Sequence, residues 1–157
     1  MTFMSTTYEQ EFNTVVANIH DQAADTLIQK VIGQPRIPHL AVAMQFLFFK
    51  EHRYSLKQIR DYCTSTALVH MGLDIHNEVS PDNETPHRQR QLQVLAGDLY
   101  SGKFYQILAH RGDVRVIHFL ADAVSYVNQA RTNLYDLIVR NQLSVKQYVQ
   151  EIEKICT

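Results

Sequence analysis

The sequence predicts an all-α fold, a bundle of about six helices that forms a single domain over residues 1–157. Apolar residues recur every three or four positions in six successive segments, and no segment alternates with the two-residue period of a strand. Two Ser-x-x-Gln sequences, at 55–58 and 144–147, have the pattern of a capping box that begins a helix. The connections are short, as they are in helical bundles.

The expected helices cover residues 6–31, 38–52, 56–76 and 87–109, then a fifth segment up to 138 and a sixth that begins after Ser144. The second carries the run AVAMQFLFF and is expected to be mostly buried. A Gly-Gln-Pro-Arg-Ile-Pro turn at 33–38 separates the first two helices. An acidic loop with two prolines, at 77–86, separates the third from the fourth.

The fourth helix is apolar on nearly every side, so it is expected to be buried on more than one face. It lies either at the centre of the fold or at the centre of an interface with a second protein. Aromatic side chains are the commonest strong contacts in interfaces, which favours Tyr100, Phe104 and Tyr105, with Leu108, as partner contacts. Asp98 lies inside the same helix, where a carboxylate is costly unless it is paired, and it is expected to be a buried structural anchor.

The composition excludes several classes of function. The formal net charge of −1 gives no basic field for nucleic acid and no polybasic membrane signal. The longest apolar run, at 40–49, is too short to span a bilayer, and the first twelve residues lack the features of a secretory signal. Cys63 and Cys156 show no metal-type spacing and suit reduced thiols, so a cytoplasmic location is expected.

The polar residues give only a weak indication of catalysis. The chain has eight histidines, but the His20-Asp21 dipeptide has no histidine before it, and His70 and His76 are six positions apart on different helix faces. No catalytic residue and no metal site are therefore predicted. One alternative is a magnesium-dependent helical phosphohydrolase, which would use the acidic residues Asp74, Glu78, Asp82 and Glu84. Another is a homo-oligomeric helical scaffold.

Two segments carry a resemblance to a known family. The sequences LVHMGLDIHNEVSPD and VLAGDLYSGKFYQILAHRGDVRVIHFLADAV, with the loop between them, resemble the front half of the trans-prenyl diphosphate synthases. In that family a helix ends in His and an Asp-Asp-x-x-Asp motif that binds magnesium diphosphate, and a later helix opens with Leu-x-Gly-Asp. The turn at 33–38 resembles the family's Gly-Lys-Arg-x-Arg-Pro turn, which holds isopentenyl diphosphate. The resemblance implies the N-terminal half of the isoprenoid synthase fold.

The chain departs from that family at the groups that carry the chemistry. Asn77 and Glu78 stand where the first two motif aspartates would be, and the third position falls on Pro81. The basic turn retains one arginine, Arg36, and the family's arginine pair is represented at best by His87 and Arg88. A departing diphosphate needs metal and fixed cations, so this degenerate motif predicts no catalysis by the chain alone.

The pattern is similar to the small subunit of the bacterial two-component hexaprenyl or heptaprenyl diphosphate synthases. The resemblance implies a regulatory, non-catalytic subunit in a heterodimer with a catalytic large subunit. That partner would bind the allylic and isopentenyl diphosphates and the Mg²⁺, and this chain would need no cofactor of its own. The small subunit would help to set the product chain length, for products that serve as precursors of the menaquinone side chain.

Overall fold

A computed structural model describes residues 6–34, 36–79 and 86–156, and seven helices lie within them. They are α1 (Thr6–Ala23), α2 (Thr26–Ile32), α3 (His39–Glu51), α4 (Leu56–Asn77), α5 (His87–Arg111), α6 (Val114–Val139) and α7 (Val145–Cys156). The described residues contain no strand, and the all-α prediction is confirmed. The helices form two compact units, α1–α5 and α6–α7. The single domain expected from the chain length stays a prediction.

The first helix expected from the sequence is in fact two helices, and the prediction of one continuous helix was wrong. Asp25 starts α2, because its Oδ1 accepts a hydrogen bond from the backbone N–H of Ile28 at 3.0 Å. The end of α1 is held by α5: Lys103 Nζ donates to the Gln22 carbonyl at 2.6 Å, and the Tyr100 hydroxyl donates to the Ala23 carbonyl at 3.2 Å. The break therefore depends on a tertiary contact as well as on a local cap.

At the centre of the first unit lies α4, not α5. The capping box at its start is confirmed: Ser55 Oγ accepts from the Gln58 N–H, and Gln58 Oε1 accepts from the Ser55 N–H. Its buried residues surround the helix and are Ile59, Asp61, Cys63, Thr64, Ser65, Ala67, Leu68, Val69, Met71, Gly72 and Ile75. The helices α1, α3 and α5 all pack against it. This position explains why most of α4 is buried and why its exposed polar residues are confined to its first turn and its C-terminal third.

Only one face of α5 is buried, and it packs along α4. The buried residues follow helical spacing and are Ala96, Gly97, Tyr100, Phe104 and Leu108. The two backbones come close together, because a Cβ added at Gly72 would lie 3.1 Å from the Gly97 carbonyl oxygen. The other faces of α5 are largely exposed, so the helix that is apolar all round is half uncovered in the structure.

The helix α3, which was expected to be mostly buried, is also buried on one face only. Phe46 is fully buried, and its ring meets that of Phe12 on α1 with the centroids 5.5 Å apart. The opposite face of α3 is exposed, with Leu40 showing 76% of its surface to solvent. The prediction failed because the sequence pattern marks residues that avoid water but does not show how many faces the rest of the chain covers.

The second unit consists of α6 and α7, which pack against each other. A second capping box begins α7: Ser144 Oγ accepts from the Gln147 N–H, and Gln147 Oε1 accepts from the Ser144 N–H, as the sequence predicted. Within the described parts of both units, no helix is long and apolar enough to span a bilayer.

Candidate functional site

A cavity of about 210 Å³ lies in the first unit, at the C-terminal end of α4. The last two turns of α4 form one wall, the segment after α2 forms another, and α5 contributes a buried tyrosine. The lining residues are Gln34, Arg36, Met71, Asp74, Ile75, Asn77, Glu78 and Tyr100. The cavity thus brings together two segments that the sequence singled out, the turn at 33–38 and the end of the apolar helix.

The two segments are joined by an ion pair. Arg36 Nη1 lies 3.2 Å from Glu78 Oε1 and donates a hydrogen bond to it. Both side chains are more than half exposed, so the pair adds little stability. Asn77 is exposed beside it, and Pro81 lies outside the described residues. The arginine that the sequence left without a role is therefore the counter-ion of the degenerate motif.

The residues around this cavity do not fit magnesium diphosphate. Such a site needs several carboxylate oxygens directed at one point. Asn77 offers a neutral amide, the Glu78 carboxylate is paired with Arg36, and Asp74 contributes one further carboxylate. Within residues 6–34, 36–79 and 86–156, no three His, Cys, Asp or Glu side chains come together in a way that could hold a metal. Asp82 and Glu84, needed for the hydrolase alternative, lie outside those ranges.

Asp98 is not the buried anchor that its position in an apolar helix predicted. Its side chain is 62% exposed, and its Oδ1 lies 3.4 Å from Nε2 of His76 at the end of α4. The neighbouring glycine has the closer contact with this histidine: a Cβ added at Gly97 would lie 2.5 Å from His76 Nε2. Gly97 is therefore required for the packing of His76, while Asp98 makes a solvated contact on the surface.

The structure corrects three of the four predicted partner contacts. Tyr100, Phe104 and Leu108 are buried in the core of the first unit and cannot meet a partner without repacking. Burial raises the pKa of the Tyr100 hydroxyl, and the nearby Asp25 carboxylate raises it further, so this phenol stays a hydrogen-bond donor. Tyr105, the fourth, is 55% exposed. The aromatic residues were predicted as partner contacts from their residue type, but the helical period of 3.6 residues places most of them against α4.

The opposite side of α5, which we call the α5 open face, is defined by Val94, Leu95, Leu99, Gly102 and Tyr105. All of its large side chains are exposed, Leu95 by 60%. Gly102 lies in the middle of the helix, and a Cβ added there would meet nothing within 4 Å. A glycine in a helix interior is less favourable than alanine by roughly 0.5–1 kcal/mol. No contact within this chain requires a glycine at this position.

The anchor that the sequence reasoning missed is Asp61. Its Oδ2 accepts a hydrogen bond from Arg111 Nη1 at 2.9 Å, and the two side chains are only 12% and 16% exposed. The Arg111 guanidinium also lies 5.1 Å from the centroid of the Tyr62 ring. This contact joins α4 to the end of α5. No strong signal was available in the sequence, because residues 57–65 around Asp61 are mostly polar.

Comparison with known proteins gives two findings and one absence. A family model described as heptaprenyl diphosphate synthase subunit 1 matches residues 26–156. A relative from Geobacillus stearothermophilus, heptaprenyl diphosphate synthase component 1, is 42% identical over 86 residues. That alignment covers 55% of this chain and 39% of the relative, so the similarity spans well under half of the relative's length. No solved structure matches this chain.

Proposed function

Because this chain belongs to the heptaprenyl diphosphate synthase subunit 1 family, we propose that it is the non-catalytic subunit of a two-component polyprenyl diphosphate synthase. It binds a catalytic large subunit, which supplies the Mg²⁺ and binds the allylic and isopentenyl diphosphates. The Arg36–Glu78 ion pair is the main observation in support of the non-catalytic role. In this pair the one arginine left in the turn neutralises one of the carboxylates left in the degenerate motif. The bacterial relative, named as component 1 of such a synthase, supports the presence of a partner.

The absence of catalysis follows from charge. In the condensation, diphosphate leaves as the new bond forms, and the developing negative charge must be stabilised by metal ions and fixed cations. Among the described residues that line the cavity, Arg36 is the one cation, and Asp74 and Glu78 oppose it. A diphosphate would therefore meet net negative charge there. The residues that remain can shape a cavity but cannot stabilise the leaving group.

The α5 open face is the proposed binding surface for the large subunit. Its leucines and Tyr105 would become buried, and each fully buried leucine contributes about 1.5–3 kcal/mol. Gly102 then has a role, because the absence of a side chain lets a partner helix approach the α5 backbone closely. The burial of apolar surface against a partner that holds the active site gives this chain a route to influence the product chain length.

The activity test uses the purified chain, the candidate large subunit and the two together, with labelled isopentenyl diphosphate, farnesyl diphosphate and Mg²⁺. We expect a long-chain product only from the mixture. An Arg36→Ala/Glu78→Ala variant is expected to retain the activity of the mixture, because neither group takes part in catalysis. Turnover by the chain alone would refute the non-catalytic role, and product from the large subunit alone in equal yield would refute the requirement for this chain.

The interface test places a large side chain on the α5 open face. Gly102→Leu has room in the chain itself, so the helical circular dichroism and the melting temperature should not fall. Binding to the large subunit should weaken by about thirtyfold or more, as expected for a steric block at an interface centre. The matched control is Ala17→Leu, at an exposed position of α1. Equal binding by Gly102→Leu and Ala17→Leu would place the interface elsewhere.

A further inference from the structure

A second uncovered surface lies on α3, away from the α5 open face. Leu40, Met44, Leu47 and Phe48 recur at intervals of three and four residues, and all are exposed. We call them the α3 apolar face. The opposite side of the same helix is fixed in the core through Val42 and Phe46. The packing of these two residues therefore fixes which side of α3 faces solvent.

The C-terminal end of this face has a polar edge. The His52 ring lies 4.2 Å from the Phe48 ring, centroid to centroid, and His52 Nδ1 lies 2.8 Å from the Phe48 carbonyl oxygen. Arg53 and Lys57 follow, and both are exposed. The surface thus passes from large apolar side chains to an imidazole and then to two cations. Amphipathic and basic side chains at the edge of an apolar face are typical of helices that lie in the plane of a bilayer interface.

The charge around α3 differs in sign from that of the chain. Residues 36–57 contain four Lys or Arg and one Glu, which gives +3 with neutral histidines, whereas the whole chain carries −1. Arg36 is paired with Glu78, and Lys50 is paired with Glu11 at 2.6 Å. The remaining positive charge is that of Arg53 and Lys57, partly offset by Glu51. The net charge that remains is +1, and each Lys or Arg near a bilayer surface is attracted to anionic headgroups by about 1 kcal/mol.

The dimensions of the face suit shallow insertion into a bilayer. The helix has 13 residues and is therefore about 20 Å long, and its exposed side chains form one strip along it. One helical face of this kind, lying about 5–10 Å deep, is enough for insertion at the boundary between headgroups and acyl chains.

We propose that the α3 apolar face docks the protein on an anionic lipid bilayer. Leu40, Met44, Leu47 and Phe48 enter the boundary between headgroups and acyl chains, and Arg53 and Lys57 contact the anionic headgroups. A reason for such docking rests on the proposed function: a heptaprenyl chain has about 35 carbons and partitions into lipid. A synthase held at the bilayer surface would release its product where the product is stable.

The test measures sedimentation of the full chain with vesicles, without any partner. One set of vesicles is pure phosphatidylcholine, and the other contains phosphatidylglycerol as well. We expect binding that is stronger to the anionic set. Met44→Gln/Phe48→Ser should reduce it at least tenfold, because it removes two of the inserted side chains. Arg53→Gln/Lys57→Gln should abolish most of the preference for anionic vesicles. The control, Phe119→Ser, replaces a phenylalanine on α6 that is more exposed than Phe48, and this variant should bind as the unmodified chain does.

Failure of this proposal is distinguishable from failure of the proposed function. Absence of vesicle binding, or unchanged binding by Met44→Gln/Phe48→Ser, would overturn the membrane proposal. Sedimentation velocity showing a homodimer that this variant dissociates would overturn it in favour of a second copy. Loss of large-subunit binding in the same variant would assign the face to the partner instead. Vesicle binding that falls while large-subunit binding stays constant supports the bilayer.

Discussion

The Asp61–Arg111 pair gives the sharpest prediction about the stability of the first unit. Asp61→Ala removes a carboxylate that pairs with the Arg111 guanidinium at a site where both side chains are nearly covered. Removing one member of a buried pair costs about 3 kcal/mol. The second contact of Asp61, with Arg60 Nε at 3.2 Å, involves an arginine that is 39% exposed and adds at most about 1 kcal/mol.

This loss should be measured by thermal and urea unfolding of the full chain. A cost of about 3 kcal/mol corresponds to a decrease in melting temperature of roughly 9 °C for a chain of this length. The matched control is Asp98→Ala, which removes an exposed carboxylate from α5 and should cost less than about 1 kcal/mol. A double variant, Asp61→Leu with Arg111→Met, should recover most of the lost stability, because no buried charge then remains unpaired. Equal melting temperatures for Asp61→Ala and Asp98→Ala would refute the argument from burial.

Three further predictions concern residues already described. Phe104→Ala should lower stability by about 3–5 kcal/mol in urea unfolding, since Phe104 lies in the core; weakened partner binding without a loss of stability would contradict this. Gly102→Ala should raise the melting temperature slightly, equivalent to about 0.5–1 kcal/mol, and a decrease would mean that the site is less open than it is here. Burial raises the pKa of the Cys63 thiol from 9.0 to about 12, so in a Cys156→Ser background it should resist alkylation at pH 8 until the chain unfolds. Because the unfolded thiol ionises near pH 9 and the folded thiol does not, its contribution to stability is complete below pH 9 and declines as the pH rises towards 12.

The sequence predicted the helices well, because each is defined by local features. Both capping boxes are formed by neighbours three residues apart, and both occur in the structure as expected. The break between α1 and α2 was missed because it depends on Tyr100 and Lys103, which are distant in sequence from the carbonyls that they contact. Local propensity carries no information about such a contact.

The candidate site was predicted in part. The departures at Asn77 and Glu78 were visible in the sequence, but the pairing of Glu78 with Arg36 needed the fold to bring residues 42 positions apart together. The burial of polar groups was the weakest inference. Asp98 and Asp61 both lie in apolar helices, yet one faces solvent and the other faces Arg111. Which of two such carboxylates is buried depends on the rotation of each helix, and the pattern of α5, apolar on nearly every side, does not fix it.

The charge of the cavity beside α4 has a consequence under the proposed function. Two carboxylates and one arginine are among the described residues that line it, so a free diphosphate is repelled rather than held there. Copies of this chain made in excess of a catalytic partner would therefore not sequester the allylic diphosphates that the proposed synthase shares with other enzymes.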